Sequence, residues 1–308
     1  MKKKMIFIIV KEVYLMQIIK FKLEDKFYIK EKINLCLGYF DGVHLGHQEL
    51  IKKANNHIGV FSFEFNNVNL KNKRCLTSLE DKISLFENLN VEYFFVLSFD
   101  EKVKNLSKEE FIVFLKERIN INKIIVGEDF TFGINKSGNV STLQKYFTVD
   151  VVHLKQINNI KIGSSNIIKL IEEGNIKLAN EYLNRFYTIT GVVEKGYQEG
   201  HKHNFPTANV SLNNYVKPLD GVYACFCLVN NKKYLGMCNV GVHPTINLLK
   251  QEILEINIFS FNEDIYNQKI QIQFVEFIRK EKKFININEL YNQLQIDKEK
   301  CLQILNSI

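Results

Sequence analysis

Two segments of the sequence hold residue types that are suited to phosphate chemistry. The first, which we call the Gly38–His47 segment, has the letters GYFDGVHLGH and lies between an apolar run and an amphipathic run. Glycines let the backbone approach a phosphate closely, and anions bind well at a helix N-terminus. His44 and His47 are three residues apart, so both imidazoles can face one point at the first helical turn. A His-x-x-His pair alone would fit surface histidines or a metal pair equally well, but a preceding strand and a following helix favour a nucleotide phosphate site.

The two imidazoles can donate hydrogen bonds to phosphate oxygens as charge develops, which makes His44 and His47 catalytic candidates. Neither a G-x-x-x-x-G-K-[ST] nor a G-x-G-x-x-G pattern occurs in the chain. The predicted phosphate-binding residues of this segment are Gly38, Phe40, Asp41, Gly42, His44, Gly46 and His47.

The second segment ends in the letters FPTAN, residues 205–209. The Thr207 hydroxyl and the Asn209 amide oxygen are ligands that Mg²⁺ accepts when it lies between phosphates. A plain β-turn with Asn at a turn position is the alternative for this short motif alone. Further along, Glu255 alternates with Leu254, Ile256 and Ile258, so its face of the strand is mixed in polarity and suits a cavity wall.

The elements that must position these residues differ between the two halves of the chain. Short apolar runs alternate with helical patterns from residue 33 to about 184, which predicts an α/β domain with a parallel sheet and helices on both faces. Capping boxes at Thr77–Glu80 and Ser107–Glu110 are predicted to open two of its helices, and Ser164 or Ser165 is predicted to cap a third. Predicted strands in this half cover 33–37, 58–63, 91–97, 123–126 and 150–154. Predicted helices cover 44–55, the chain from the Thr77–Glu80 box to about 89, and the chain from the Ser107–Glu110 box to about 118.

After residue 185 the pattern becomes one of strands separated by turns, which predicts a small antiparallel β-barrel. One amphipathic helix, residues 288–305, closes the chain, with Leu290, Leu294, Cys301 and Leu305 on one face. The predicted barrel strands are 187–193, 208–212, 222–229, 233–240, 253–259 and 269–277. We therefore predict two domains, 16–184 and 185–308.

Composition limits the class of protein. Of the 308 residues, 46% are hydrophobic and 24% charged, which is typical of a soluble globular chain. The net charge of +7 is spread along the sequence and is attributed to a Lys-rich composition, although attraction to a polyanion is the alternative. The six cysteines form no C-x-x-C pair and are predicted to be reduced core residues of a cytoplasmic protein. No apolar run reaches the length of a membrane span or a signal peptide, and residues 1–15 are predicted to be an unpacked extension or a misassigned start.

The Gly38–His47 segment resembles the nucleotidyltransferase half of the bifunctional bacterial riboflavin kinase/FMN adenylyltransferases. The letters VGEDFTFGINKSG at 126–138 and the Ser164-Ser165 helix start continue this resemblance. The resemblance implies transfer of AMP from ATP to FMN. It implies that ATP binds to the phosphate-binding residues of the Gly38–His47 segment and to Ser164 and Ser165, and that the flavin binds at Asp129 and Phe130.

Three positions depart from the family pattern. The Pro-His-Pro after the second strand is replaced by Phe65-Asn66-Asn67, an Arg is replaced by Lys136, and the Arg of Ser-Ser-Thr-x-Ile-Arg is replaced by Ile168. Lys169 follows one residue later, which is about 100° around a helix. These changes motivate the alternative that the chain is a riboflavin kinase with an impaired or retargeted adenylyltransferase domain.

Residues 191–209 resemble the riboflavin kinase half of the same family, whose form is Gly-x-x-x-Gly-Arg-x-x-Gly-Phe-Pro-Thr-Ala-Asn. The matches continue in KPLDGVY at 217–223, NVGVHPT at 239–245 and IRKEKKF at 278–284. The resemblance implies that Glu255 is the general base for the riboflavin hydroxyl and that Arg279 either orders the end of the barrel or binds flavin. The ATP-binding residues that it implies are Gly196, Gly200, Lys202, Pro206, Thr207 and Asn209, with Thr207 and Asn209 also holding Mg²⁺.

The sequence therefore predicts a bifunctional transferase that makes FMN from riboflavin and ATP and then FAD from FMN and ATP, with Mg²⁺ as cofactor. The expected partners are these small molecules, with no nucleic acid and no membrane, and the pattern makes no prediction of oligomeric state. A flavin- or nucleic-acid-binding regulator would explain the positive charge, and a transferase acting on another phosphate compound would explain the first segment alone. The FPTAN segment argues against the latter.

Overall fold

The computed structural model describes residues 15–65, 74–153, 156–157, 160–194, 206–244 and 250–308. The chain divides into two compact units. In the described residues the first unit comprises 15–39, 50–65 and 83–152, and the second comprises 40–49, 74–82 and the chain from 153 onward. The predicted extension, residues 1–15, lies outside the described residues except for Leu15, whose surface is 82% exposed.

A parallel sheet forms the centre of the first unit. Six of its strands pair side by side in the order β1-β4-β3-β2-β5-β8, and every pairing is parallel. The strands of this unit are β1 (Gln17–Phe21), β2 (Ile29–Leu37), β3 (Ile58–Phe65), β4 (Tyr93–Phe99), β5 (Ile119–Gly127), β6 (Thr131–Phe132), β7 (Gly138–Asn139) and β8 (Val149–Val152). Strands β6 and β7 form a separate antiparallel hairpin.

Helices cover both faces of this sheet, as predicted. The first five helices of the chain are α1 (Leu45–Ala54), α2 (Leu79–Asn88), α3 (Glu101–Lys104), α4 (Lys108–Lys116) and α5 (Val140–Gln144). On one face Phe61 of β3 contacts Phe111 of α4, with ring centroids 6.0 Å apart. On the other face Phe94 of β4 contacts Phe86 of α2 at 4.8 Å. Strand side chains alternate between faces, so the continuous apolar runs of these strands are buried on both sides.

One of the two predicted capping boxes needs correction. The capping box that opens α2 is formed by Ser78 and Asp81, whose side chains each accept a hydrogen bond from the other residue's backbone N–H at 3.1 and 2.9 Å. The predicted Thr77–Glu80 box is therefore one residue early, because the Thr77 hydroxyl accepts a bond from elsewhere in the chain. The Ser107–Glu110 box at α4 is confirmed.

The second unit is built on a closed antiparallel barrel with the strand order β11-β12-β15-β14-β13-β16. Its elements are β9 (Gln156–Ile157), β10 (Ile160–Lys161), α6 (Ser164–Glu172), α7 (Ile176–Leu183), β11 (Tyr187–Glu194), β12 (Ala208–Ser211), β13 (Gly221–Val229), β14 (Lys232–Pro244), β15 (Lys250–Ile258), β16 (Lys269–Arg279) and α8 (Ile287–Leu305). The six predicted barrel strands and the closing helix are confirmed. Leu254, Ile256 and Ile258 face the buried core of the barrel.

Helix α8 packs on the outside of the barrel. Its Cys301 and Leu305 join a cluster with Phe226, Met237 and Phe259, so the predicted apolar face of this helix is buried where it meets the strands. Five of the six cysteines are buried, and Cys75 is half-buried. Within the residues that the structure describes, no helix is long and apolar enough to cross a membrane.

Candidate functional site

The Gly38–His47 segment begins directly after β2 and ends inside the first turn of α1. Its backbone is contorted: φ is 55° at Phe40, 79° at Gly42 and 39° at Val43. A β-branched residue rarely adopts positive φ, and such a conformation costs on the order of 1–3 kcal/mol. The surrounding contacts must therefore fix the shape of this segment.

Side chains from distant parts of the second unit supply those contacts. Three consecutive carbonyls each accept a hydrogen bond from a side chain. Ser164 Oγ donates to Asp41 O at 2.9 Å, and Arg185 Nη2 donates to Gly42 O at 2.7 Å. Gln48 Nε2 donates to Val43 O at 3.0 Å. The Gly42 N–H donates to Thr77 Oγ1 at 3.0 Å, which explains why Thr77 does not cap α2. Gly42 itself has no room for a side chain, because a Cβ atom would lie 2.7 Å from Leu76.

Asp41 is buried, with 4% of its surface exposed, and its carboxylate accepts hydrogen bonds from the Leu76 and Thr77 N–H groups at 2.9 and 3.3 Å. Burial raises the pKa of Asp41, while the charge of Lys82 and these hydrogen bonds act in the opposite direction. The carboxylate thus ties the segment to the chain that precedes α2. Contact of Asp41 with ATP stays a prediction.

The structure brings the two histidines together. The rings of His44 and His47 are stacked with centroids 3.7 Å apart and planes 19° apart, and Phe40 lies 4.9 Å from His47. Gly46 permits this stacking, since a Cβ there would lie 3.2 Å from His44 Cε1. In the described part of the chain, the buried Nδ1 of His47 has no hydrogen-bond partner.

The surroundings of the His47 imidazole favour its neutral form. Burial lowers its pKa well below the ordinary value of 6.5, and the charges of His44, Lys82 and Arg185 lower it further. Two stacked rings resist carrying two charges, whereas a nearby anion favours the protonated form. The pair is thus suited to take up a proton and donate hydrogen bonds when a phosphate arrives.

Helix α6 starts without a side-chain cap: Gly163 occupies the N-cap position, so the prediction of a Ser164 or Ser165 cap is wrong. The Ser164 hydroxyl is bound to Asp41 O instead, and Ser165 is exposed in the first turn. Further along α6, Ile168 packs against the apolar core of the second unit. Lys169 is 72% exposed and its Nζ lies 3.8 Å from Glu173.

Gly38, Asp129 and Phe130 follow the carboxyl ends of β2 and β5, which are neighbouring strands of the parallel sheet. Ligands of such sheets bind at this edge. Asp129 is exposed, and Phe130 stacks on Phe132 with centroids 5.9 Å apart. Lys136, at one departure from the family pattern, is exposed with φ of 57°.

A second group of polar residues lies on the outer face of the barrel. Asn209 of β12 stands directly opposite Glu255 of β15, which in turn stands opposite Asn239 of β14. Directly opposed residues in an antiparallel pair share one face, with Cβ atoms ~4.5–5.5 Å apart. Glu255 is half-buried, as are Thr207 and Asn209. The structure therefore places the carboxylate beside the predicted Mg²⁺ ligand.

A cavity of about 550 Å³ opens beside Thr207. It is lined by Val193, Pro206, Thr207, Ala208, Ile256, Ile258 and residues 261–266. Asn257 is buried and donates to Pro206 O at 2.7 Å, which fixes the start of β12 at the edge of this cavity. Gly196, Gly200 and Lys202 lie outside the described residues.

Arg279 binds the buried Asp297 of α8 through three hydrogen bonds of 2.7 to 3.1 Å. Its Nη1 donates to Lys280 O at 3.0 Å. Of the two roles left open for Arg279, this geometry supports ordering of the barrel end. Its contact with flavin stays a prediction.

Comparison with known proteins finds a family match for each half of the chain. The FAD synthetase family model matches residues 27–167, and the riboflavin kinase family model matches residues 183–305. A bifunctional riboflavin kinase/FMN adenylyltransferase of Buchnera aphidicola is 35% identical, over 90% of this chain and 97% of the relative. The Bacillus subtilis protein of the same name is 35% identical, over 89% and 93%.

The chain belongs to the bifunctional riboflavin kinase/FMN adenylyltransferase family. It is a transferase of flavin cofactor synthesis, which confirms the predicted function, and the alternative of a kinase alone is not favoured because both halves match. A solved structure named macrolide-efflux protein from Streptococcus pneumoniae is also similar, with a TM-score of 0.81 and 29% identity over 91% of this chain and 98% of that one.

The sequence predictions did not connect four residues with the Gly38–His47 segment of this family member: Gln48, Thr77, Lys82 and Arg185. The chain has only four arginines among its 41 basic residues. Arginine supplies several hydrogen-bond donors in fixed directions. An Arg at position 185 of so Lys-rich a chain is therefore a sequence signal for a site that needs such donors.

Proposed function

We propose that the chain converts riboflavin to FMN at the outer face of the barrel and FMN to FAD at the Gly38–His47 segment, with ATP and Mg²⁺ in both reactions. The observation that carries the first assignment is the opposition of Asn209 and Glu255. The second rests on the stacked histidine pair at the start of α1. We further propose, as the sequence predicts, that the protein acts in the cytoplasm and that the boundary between its domains lies near residue 185.

In the kinase reaction Glu255 acts as general base. The riboflavin 5′-hydroxyl oxygen attacks the γ-phosphorus of ATP, its proton passes to the Glu255 carboxylate, and ADP leaves with the electrons of the broken P–O bond. Asn209 stands across the ladder from Glu255, and Thr207 lies directly before the first residue of β12. The cavity beside Thr207 has the volume that a nucleotide requires.

The oxygen donors of these residues fit Mg²⁺. A Thr hydroxyl, an Asn amide oxygen and a neighbouring carboxylate are the hard oxygen ligands that this ion prefers. Thr207 and Asn209 would hold the ion, which when bound neutralises charge on the ATP phosphates. The chain's own residues then orient the hydroxyl and accept its proton.

In the adenylyl-transfer reaction His44 and His47 bind the phosphates of ATP. A phosphate oxygen of FMN attacks the α-phosphorus, and pyrophosphate leaves with the electrons of the broken P–O bond. The neutral His47 gains a proton when the polyanion binds, so both rings can donate to the phosphoryl oxygens as charge develops. Lys82 and Arg185, whose charges act on His47, add positive potential that offsets the cation missing at Ile168.

The product profile from riboflavin, ATP and Mg²⁺ tests this proposal. We expect FMN to appear first and FAD to follow, and we expect supplied FMN to yield FAD without a lag. FMN as the final product would refute the adenylyl-transfer assignment. Lack of FMN formation together with FAD formation from supplied FMN would refute the kinase assignment.

A further inference from the structure

The guanidinium of Arg185 binds three backbone carbonyls. Nη2 donates to Gly42 O at 2.7 Å, and Nη1 donates to Val43 O at 3.4 Å and to Leu183 O at 3.2 Å. Arg185 lies between α7 and β11, the first strand of the barrel. The connection that leads into the barrel therefore also binds the Gly38–His47 segment. The planar fork of an arginine can serve several acceptors in fixed directions, which a lysine ammonium cannot.

Two of the three carbonyls that Arg185 binds, those of Gly42 and Val43, lie on either side of the strained Cα of Val43. Val43 has φ of 39°, and relaxation of that angle would rotate the peptide units on both sides of it. In a trans peptide the N–H points opposite to the C=O. An anchor on Val43 O therefore also fixes the direction of the His44 N–H and, with it, the start of α1.

Neighbouring contacts reinforce this anchor. Gln48 Nε2 donates to Val43 O and to Leu183 O, both at 3.0 Å, and Asn184 Nδ2 donates to Gln48 Oε1 at 3.1 Å. Residues 183–185 and the first turns of α1 thus form one hydrogen-bonded network.

We propose that Arg185 is a positioning residue for adenylyl transfer: it keeps the Gly42–Val43 backbone in the conformation that places His44 and His47 for the phosphates of ATP. This inference rests on the proposed role of the histidine pair. The positive charge is retained at neutral pH, since burial lowers the pKa of Arg185 only to about 10, with Asp81 and Asp41 opposing that shift.

The test compares two reactions of one preparation. Arg185→Ala is expected to lower kcat for FAD formation from supplied FMN by about 100-fold, as for a misplacement of about 1 Å, with a smaller change in KM for FMN. FMN formation from riboflavin is expected to stay within about two-fold of wild type. Millimolar guanidinium is expected to restore FAD formation in a saturable way, because it can occupy the vacated position between the carbonyls.

Arg118→Ala is the matched control. Arg118 also donates to three carbonyls, those of Leu23, Asp25 and Phe114, but it contacts other loops. We expect no selective loss of FAD formation and no rescue by guanidinium in this variant. Arg185→Lys, which keeps the charge and nearly the length, is expected to retain more activity than Arg185→Ala.

Three outcomes would overturn the inference. In the first, Arg185→Ala forms FAD at a rate within about three-fold of wild type. In the second, guanidinium fails to restore FAD formation in Arg185→Ala. In the third, both reactions and the melting temperature fall together in Arg185→Ala and Arg185→Lys, which would indicate a role in folding alone. A wild-type protein that forms no FAD from FMN would instead refute the proposed function, so the two failures are distinguishable.

Discussion

Asn209 of β12 lies directly opposite Glu255 of β15 on the outer face of the barrel. The two residues are 46 positions apart in sequence, and strand register alone brings them together. This pairing connects a ligand suited to Mg²⁺ with a carboxylate suited to accept a proton, which is what transfer of a phosphoryl group to a hydroxyl requires.

Replacement of Glu255 by Gln is expected to remove the general base while preserving shape. FMN formation should fall by about 10²–10⁴-fold, and FAD formation from supplied FMN should be unchanged. Steady-state assays of both reactions measure this. Glu276→Gln, which removes an outer-face carboxylate of β16 paired with Lys177, is the control and should affect neither reaction. An active Glu255→Gln kinase would contradict the assigned role.

Replacement of Asn209 by Ala is expected to weaken the hold on Mg²⁺ at the barrel. The Mg²⁺ concentration that half-saturates the kinase should rise by at least about 10-fold, since one polar ligand is lost. Mg²⁺ titrations of the two reactions measure the effect, and the adenylyl-transfer titration should not change. Ser211→Ala, two residues along the same strand, serves as control; an equal effect there would argue against a specific role of Asn209.

Gly46→Ala is expected to disturb the histidine pair. The added Cβ would lie 3.2 Å from the His44 ring, so the ring must move by a few tenths of an ångström, and FAD formation should fall by about 10-fold. Gly163→Ala is the control, because a Cβ there meets no atom within 4 Å. The value of kcat/KM for FMN in the two variants measures the effect. Equal values would show that adenylyl transfer does not need the stacked histidine pair.

How far sequence predicts this structure is visible in the segment around these glycines. The strand, the glycines, the histidines and the following helix were all predicted, because each is encoded by neighbouring residues. The partners of the segment were not, because Thr77, Ser164 and Arg185 lie 35 to 143 positions from the groups they bind. The same limit explains the displaced capping box at α2, since Thr77 matches the local pattern but forms a distant bond.

The barrel shows a similar division. All six barrel strands follow from their apolar patterns. In the parallel sheet of the first unit, by contrast, strand β1 was missed because its letters QIIKF carry little alternation. The buried Asp297 was also missed, since an Asp in an amphipathic helix is expected on the exposed face until its partner Arg279 is known. Composition and pattern thus predict the elements, and the polar contacts between distant elements require the three-dimensional structure.

Ile168→Arg is expected to restore the cation that the family pattern places in α6. FAD formation should rise by about 10-fold if the guanidinium reaches the phosphates, and loss of the apolar contact should cost about 1 kcal/mol of stability. Lys169→Arg is the control, since this side chain is directed to Glu173, and it should leave the rate unchanged. A rate that is unchanged or lower in Ile168→Arg would indicate that Lys82 and Arg185 already provide the needed charge.

The lowered pKa of His47 makes stability depend on pH. Because the folded state keeps His47 neutral while the unfolded state protonates it near 6.5, the free energy of unfolding should decrease as pH falls below about 6.5. Denaturant unfolding of wild type and His47→Gln between pH 5 and 8 measures it, and the variant should show a flatter profile. The exposed His57, replaced by Gln, is the control. Identical profiles for wild type and His47→Gln would contradict the prediction.

The central claim is that two separate sites act in sequence, one at Glu255 and one at His44 and His47. Mixing the Glu255→Gln and His47→Ala proteins with riboflavin, ATP and Mg²⁺ tests it most directly. Each variant alone should form no FAD from riboflavin, and the mixture should form it, because His47→Ala supplies FMN and Glu255→Gln adenylylates it. Loss of both reactions in either variant, or FAD formation from riboflavin by one variant alone, would contradict the account.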